Sequence, residues 1–145
     1  MKTILVPVDF SDATPKIIAA ARELAEAFRS RIVLLHVVEP EPAFVGFEPG
    51  PESVRVAIAG DFHKEHQQLE KLKASLADFD VLALQIQGGI AEKILHEAEQ
   101  QNADVIVIGS HGHGALHHLL VGSVTSNVLR NANRRVLVVP TKTAA

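Results

Sequence analysis

At 145 residues with 47% hydrophobic residues, the chain is long enough to form one domain, residues 1–145, with a substantial core and no need of staples. The absence of cysteine excludes disulfides and thiolate metal sites, and nothing requires an oxidising compartment. A formal charge of −3, without Trp or Tyr, supplies neither the basic face nor the usual stacking side chains of a nucleic-acid binder. No stretch approaches the roughly 18 apolar residues of a membrane helix. The opening residues, interrupted at Pro7 and Asp9, read as a strand and not a signal peptide. A soluble cytoplasmic protein without membrane insertion is the expectation.

Thr3 to Val8 is a short apolar run ending in Pro7-Val8-Asp9, which leaves a carboxylate at the C-terminal edge of a strand. Asp9 is therefore a candidate ligand-binding residue; the alternative is that Asp9 or Asp12 organises the turn into the next helix. Thr14-Pro15 predicts that helix, with Thr14 as N-cap and Pro15 in the first helical position. Ile17, Ala21, Leu24, Ala25 and Phe28 follow at helical spacing as its core face. Arg31 to Val38 is a second buried strand and completes a βαβ unit. His36 inside it reads as a core histidine with a satisfied hydrogen bond rather than a ligand.

Glu39 to Pro51 holds four of the seven prolines plus Gly46 and Gly50, so it is neither regular helix nor central strand. Leaving the C-terminal end of the second strand, it reads either as a lid over the edge that carries Asp9 or as a solvated connector. Its charges are Glu39, Glu41 and Glu48, without a basic residue to attract phosphate. From Glu52 to Asp78 a long helix is predicted, with Val54, Ile58, Phe62, Leu69, Leu72 and Leu76 as an interrupted apolar stripe. His63 and His66 lie in a charged run that reads as its solvated face; a metal-ligating pair is the sharper alternative. Val81 to Ile86 is a third strand, and Gly88-Gly89 turns it into a helix with Ile90, Ile94, Leu95 and Ala98 on its apolar face. Val105 to Ile108 is a fourth strand and Arg135 to Val139 a fifth. Strands alternating with helices predict an α/β fold, a parallel sheet covered on both faces. In such sheets ligands bind outside the carboxyl ends of the strands, where the strand order reverses.

The stretch from Gly109 to Ser123 leaves the fourth strand with Gly109, Gly112 and Gly114 closely spaced. Glycines permit backbone angles closed to other residues, so successive N–H groups there are expected to form a nest for phosphate oxygens. Ser123 is placed to cap a helix from Val124 to Asn131, whose first-turn N–H groups also suit an anion. The loop is not a Walker motif, because GxxxxGK[ST] is absent and no Lys or Arg lies between Gly109 and Arg130.

The spacing is G-x2-G-x9-G-S, filled by Gly109, Gly112, Gly122 and Ser123, and it resembles the ATP-binding signature of the universal stress protein family. Ile4 to Ser11, Leu34 to Val37 and Arg135 to Pro140 extend the resemblance to nearly the whole chain. It implies an open five-stranded parallel sheet of order 3-2-1-4-5, Rossmann-like and similar to the adenine nucleotide α-hydrolase folds. On that order Asp9 and Gly109 face each other across the switch point. The resemblance further implies that the main chain at Val37 meets adenine. It gives a cofactor-binding set of Pro7, Val8, Asp9, Val37, Gly109, His111, Gly112, His113, Gly122, Ser123 and Val124. ATP with Mg2+ or Mn2+ is the implied ligand. The implied partner is a second copy, which covers the apolar edge strand Val136 to Val139 as a homodimer. The implied role is that of a nucleotide-dependent regulatory module in a stress response, with its downstream protein unidentified.

Family members often carry Arg or Lys just after the second glycine, where this chain has His113, and again further on, where it has His117 and His118. Imidazoles titrate near pH 6.5, so nucleotide affinity is expected to rise between about pH 8 and pH 6. Two other readings of these histidines are a transition-metal site, with His111 close by, and exposed loop residues. An enzyme reading, slow ATP hydrolysis or autophosphorylation, finds Asp9, Ser11, Ser110, Ser123 and the histidines but no identifiable base and nucleophile pair. A third reading is a nucleotide-free dimeric interaction protein, against which the intact glycine signature counts.

Overall fold

The structure, a computed structural model, describes residues 1–40, 52–112 and 121–141, with backbone alone for residues 52–62. The proposed lid beyond Pro40, together with His113, Gly114, His117 and His118, lies outside the described residues, as do the side chains of Val54, Ile58 and Phe62. The elements are β1 (Thr3–Pro7), α1 (Thr14–Phe28), β2 (Arg31–Val38), α2 (Glu52–Ala74), β3 (Val81–Gln87), α3 (Ile90–Gln100), β4 (Val105–Gly109), α4 (Ser123–Asn131) and β5 (Arg135–Val139). The five strands form one parallel sheet in the order β3-β2-β1-β4-β5, as the resemblance implied. Pro7 pairs with Leu35, Ile4 with Val105 and Gly109 with Val139.

Strand residues alternate between the two faces, which explains the two clusters of core residues. Ile4, Val6, Ile32 and Leu34 pack under α1 and α2 with Ile17, Ile18, Ala21, Leu69 and Leu76. Leu5, Val33, Leu35 and Ile106 pack against α3 and α4 with Ala91, Ile94, Ala98 and Val128. At the opposite edge from the candidate site, Asp104 Oδ2 accepts the N–H groups of Lys2 at 2.7 Å and Thr3 at 3.0 Å, joining β1 to the start of β4. The Thr3 bond first, then the Lys2 bond, holds the Asp104 carboxyl below its ordinary value of 3.8.

Three local expectations need correction. The N-cap of α1 is Ala13, with no side-chain cap bond, and Thr14 is already helical. The entry is made instead by a backbone turn in which Thr14 N–H donates to Ser11 O at 3.0 Å. Phe28 is 51% exposed rather than core, because the helix ends there and Arg29 turns the chain away with φ 53°. The helix expected to reach Asp78 stops at Ala74; Ser75 Oγ donates back to Leu72 O at 2.6 Å, and a turn then buries Leu76.

Candidate functional site

The crevice between the carboxyl ends of β1 and β4 is where the strand order reverses. Val8 N–H donates to Leu35 O at 2.8 Å, which carries the sheet pairing one residue past Pro7. The chain then turns sharply. Phe10 adopts a left-handed conformation, φ 58°, uncommon for a bulky residue, and Asp9 Oδ1 accepts the Ser11 N–H at 3.0 Å. The turn fixes the Asp9 carboxylate at the edge of the sheet with its other oxygen, Oδ2, toward the loop that follows β4. A side chain at Gly112 would collide with that oxygen. Asp9 and the glycine loop thus meet at Gly112.

Gly109 is the last residue of β4 and is buried. A Cβ there would lie 2.9 Å from both Ile17 Cδ1 and Thr141 Cγ2, so this position is glycine for packing. Gly88 is the one glycine among the described residues with positive φ. Of the glycines expected to form a nest, Gly109 and Gly112 therefore do not supply special backbone angles, and Gly114 lies outside the described residues. What Gly109 and Gly112 supply is the absence of a Cβ.

Ser110 is buried, and its N–H donates to Val139 O at 2.9 Å. Its hydroxyl accepts the Thr141 N–H at 3.0 Å and lies 3.0 Å from Thr141 Oγ1 and 3.1 Å from His111 Nδ1. The His111 N–H donates to Thr141 Oγ1 at 3.1 Å, and Thr141 Oγ1 also lies 3.3 Å from His111 O. Thr141 is therefore the clamp of the loop, and it was not a sequence candidate. A Ser–His pair does exist here. Its hydroxyl is closed in by Thr141, which makes it a structural knot rather than a presented nucleophile.

The other wall is the start of α4. Gly122, extended at φ −69° and ψ 167°, is the N-cap, and Ser123 is the first helical residue, one position earlier than expected. Gly122 N–H donates to Ser110 O at 2.7 Å, and Gly122 O accepts the Ser126 N–H at 2.9 Å. Helix geometry leaves the N–H groups of Ser123, Val124 and Thr125 without acceptors inside the helix, the arrangement that suits an anion. The Thr125 hydroxyl donates to Gly109 O at 2.7 Å, bolting this helix end to the end of β4. A Cβ at Gly122 would stand 3.6 Å from His111 Cα, so His111 and the cap are in contact.

The structure thus brings Asp9 to Gly112 and His111 to Gly122, the cap of the helix that begins with Ser123 and Val124, while Pro7 and Val8 end β1 beside β2, which carries Val37. Asp9 supplies a carboxylate at this edge, and the start of α4 offers backbone N–H groups. His36 is a buried core histidine, as expected, with its Nδ1 2.8 Å from Val8 O and its Nε2 2.9 Å from Glu65 Oε2. His63 lies 3.3 Å from Gln67 Nε2, and no group of three metal-ligating side chains occurs among the described residues.

The model of the universal stress protein family matches residues 1–140. The chain belongs to that family. Among curated universal stress proteins, MJ0577 of Methanocaldococcus jannaschii is 29% identical, covering 97% of this chain and 96% of its own. A universal stress protein of Thermus aquaticus is 34% identical, covering 95% and 98%. The solved structure of MJ0577 superposes with a TM-score of 0.84 at 31% identity, over 99% of this chain and 98% of that one. The same fold recurs in a universal stress protein in complex with cAMP, TM-score 0.71 at 23% identity, over 97% and 98%. It recurs again in the universal stress protein of Archaeoglobus fulgidus in complex with dAMP, TM-score 0.68 at 19% identity, over 96% and 98%. Among the described residues of this universal stress protein, no helix is long and apolar enough to cross a membrane.

Proposed function

We propose that this universal stress protein binds an adenine nucleotide, ATP with a divalent cation, and acts as a nucleotide-dependent regulatory module in a cytoplasmic stress response. The observation that carries the reading is the closure of the Asp9 carboxylate against Gly112 at the switch point, beside the N-terminus of α4. Because Gly112 has no Cβ, the Asp9 carboxylate sits directly against the loop, and any larger residue there would push it away. The family relationship and the fold shared with the cAMP and dAMP complexes support the same class of ligand.

In this reading the N–H groups at Gly112, Ser123 and Val124 hold phosphate oxygens, with His111 beside them; His113, outside the described residues, is the next imidazole along the chain. Gly109 and Gly122 keep the two walls close. Asp9 accepts from a ribose hydroxyl or holds Mg2+ or Mn2+ through water, and the main chain of Pro7, Val8 and Val37 borders the base and sugar. With no Lys or Arg between Gly109 and Arg130, the cation supplies charge that backbone dipoles alone do not. The edge strand β5 exposes 39% of Leu137, and a second copy pairing there as a homodimer is the natural cover.

The test is direct. Denatured, freshly purified protein is assayed for released nucleotide, and Mg-ATP is titrated into nucleotide-free protein by calorimetry. Wild type is expected to carry or bind one adenine nucleotide per subunit, and Gly112→Val, whose side chain displaces the Asp9 carboxylate, to bind none while keeping its circular dichroism. Equal binding by the folded variant would sink this placement of the site.

A further inference from the structure

One imidazole joins three elements. His36 on β2 is 6% exposed, its Nδ1 2.8 Å from the carbonyl of Val8 past the end of β1 and its Nε2 2.9 Å from Glu65 Oε2 on α2. A carbonyl only accepts, so Nδ1 carries a proton; the second bond requires another proton between Nε2 and the Glu65 carboxylate. The Phe10 ring, 4.5 Å from the imidazole between centroids and tilted 42°, covers the ring face. The ring therefore has its position set on three sides.

The peptide whose carbonyl is held in this way is Val8–Asp9. Rotation about the Val8 Cα–C bond swings this carbonyl and the Asp9 Cα together, because the peptide is planar, and it is the Asp9 carboxylate that meets the Ser11 N–H and Gly112. Nothing about binding nucleotide requires a buried histidine at this depth in the sheet. A buried polar side chain is costly unless satisfied, and this one is satisfied by the corner of the candidate site on one side and by α2 on the other.

We propose that His36, oriented by Glu65, is a positioning residue for the nucleotide site: it sets the Val8–Asp9 peptide so that the Asp9 carboxylate is held at Gly112, and it couples α2 to that corner. The inference deepens the nucleotide reading and rests on it. Substituents that keep the donor to Val8 O preserve the site, and those that remove it loosen Asp9 without touching the ligand.

The experiment compares full-length wild type with His36→Leu, His36→Asn, Glu65→Ala and Glu65→Gln. Asparagine places an amide donor close to the position of Nδ1 but does not reach Glu65. Mg-ATP affinity is read by calorimetry, and the amide resonances of Asp9 and Ser11 and the ring nitrogens of His36 by NMR without nucleotide. His36→Leu is expected to weaken Mg-ATP binding by about tenfold or more, in the range that loss of an orienting partner costs a bound ligand, and to displace the Asp9 and Ser11 amides. His36→Asn is expected to recover most of both, and Glu65→Ala to fall between wild type and His36→Leu, with Glu65→Gln near wild type. Wild type that binds Mg-ATP alongside a His36→Leu that binds it equally overturns this inference alone. So does equal loss in His36→Leu and His36→Asn that merely tracks their melting temperatures. If His36→Leu does not fold, the Glu65→Ala pair decides: wild-type affinity with an unmoved Asp9 amide overturns the coupling. Wild type that binds no adenine nucleotide overturns the nucleotide reading, and this role with it.

Discussion

Replacement of Thr125 by valine removes one oxygen from a buried joint and leaves nearly the same shape. The hydroxyl is 2.7 Å from Gly109 O, and Thr125 is 4% exposed, so water does not readily replace it. Loss of a buried hydrogen bond that strands its carbonyl partner costs about 1–3 kcal/mol. The extra buried methyl returns less than about 1 kcal/mol. The net expectation for Thr125→Val is a destabilisation of about 1–2 kcal/mol, which for a domain of this length lowers Tm by roughly 3–8 °C. Urea unfolding followed by circular dichroism measures it, with Thr125→Ser as control: serine keeps the donor and is expected to retain most of the stability. Because the bond ties the N-terminus of α4 to the end of β4, Thr125→Val is also expected to weaken Mg-ATP binding more than Thr125→Ser does. A Thr125→Val protein within about 0.5 kcal/mol of wild type would refute the claim that this hydroxyl bolts the two walls together.

Gly109→Ala is expected to cost about 1–3 kcal/mol of stability by overpacking against Ile17 and Thr141, with partial rescue by Thr141→Ser, which removes the methyl 2.9 Å away; a double-mutant cycle in urea reads the coupling. Asp104 is held below its ordinary value by the N–H groups of Thr3 and Lys2, so its contribution is present above about pH 4 and is lost as pH falls below that value through its folded one. Asp104→Asn should therefore be less stable than wild type at pH 7, with the gap closing toward pH 3. A gap unchanged by pH would remove that account. Leu137→Lys places a charge on the exposed edge strand and is expected to shift sedimentation from dimer toward monomer without loss of fold, whereas a wild type that sediments as a monomer would rule out the β5 pairing.

Strand positions and their alternation with helices were legible in the residues, because apolar runs bounded by glycine, proline and aspartate are set by burial on both faces of a parallel sheet; the strand order came from the resemblance to the family. His36 was legible as a satisfied core histidine, but its partners were not: Val8 and Glu65 are 28 and 29 residues away. Helix starts were displaced by one residue at Thr14 and Ser123. A hydroxyl side chain is only one way to satisfy a first turn, and here backbone geometry at Ala13 and Gly122 does the work. Three glycines announced a special loop, yet composition does not distinguish a residue chosen for its φ from one chosen for lacking a Cβ. Thr141 carried no signal at all, since a threonine after a strand becomes a clamp only when the fold brings it to Ser110 and His111.

The strand order also sets a timetable. Of the five strands of this sheet β1 is made first and lies in the middle, and one of its edges waits for β4, with Ile4 pairing to Val105. At roughly 5–20 residues per second, the chain between them takes on the order of 5–20 s to make. During that interval Ile4, Leu5 and Val6, fully buried in the finished protein, have a partner on the β2 side only. The β4-facing edge of β1 therefore stays without its sheet partner through that interval, until Asp104 arrives to take the N–H groups of Lys2 and Thr3 and close the sheet.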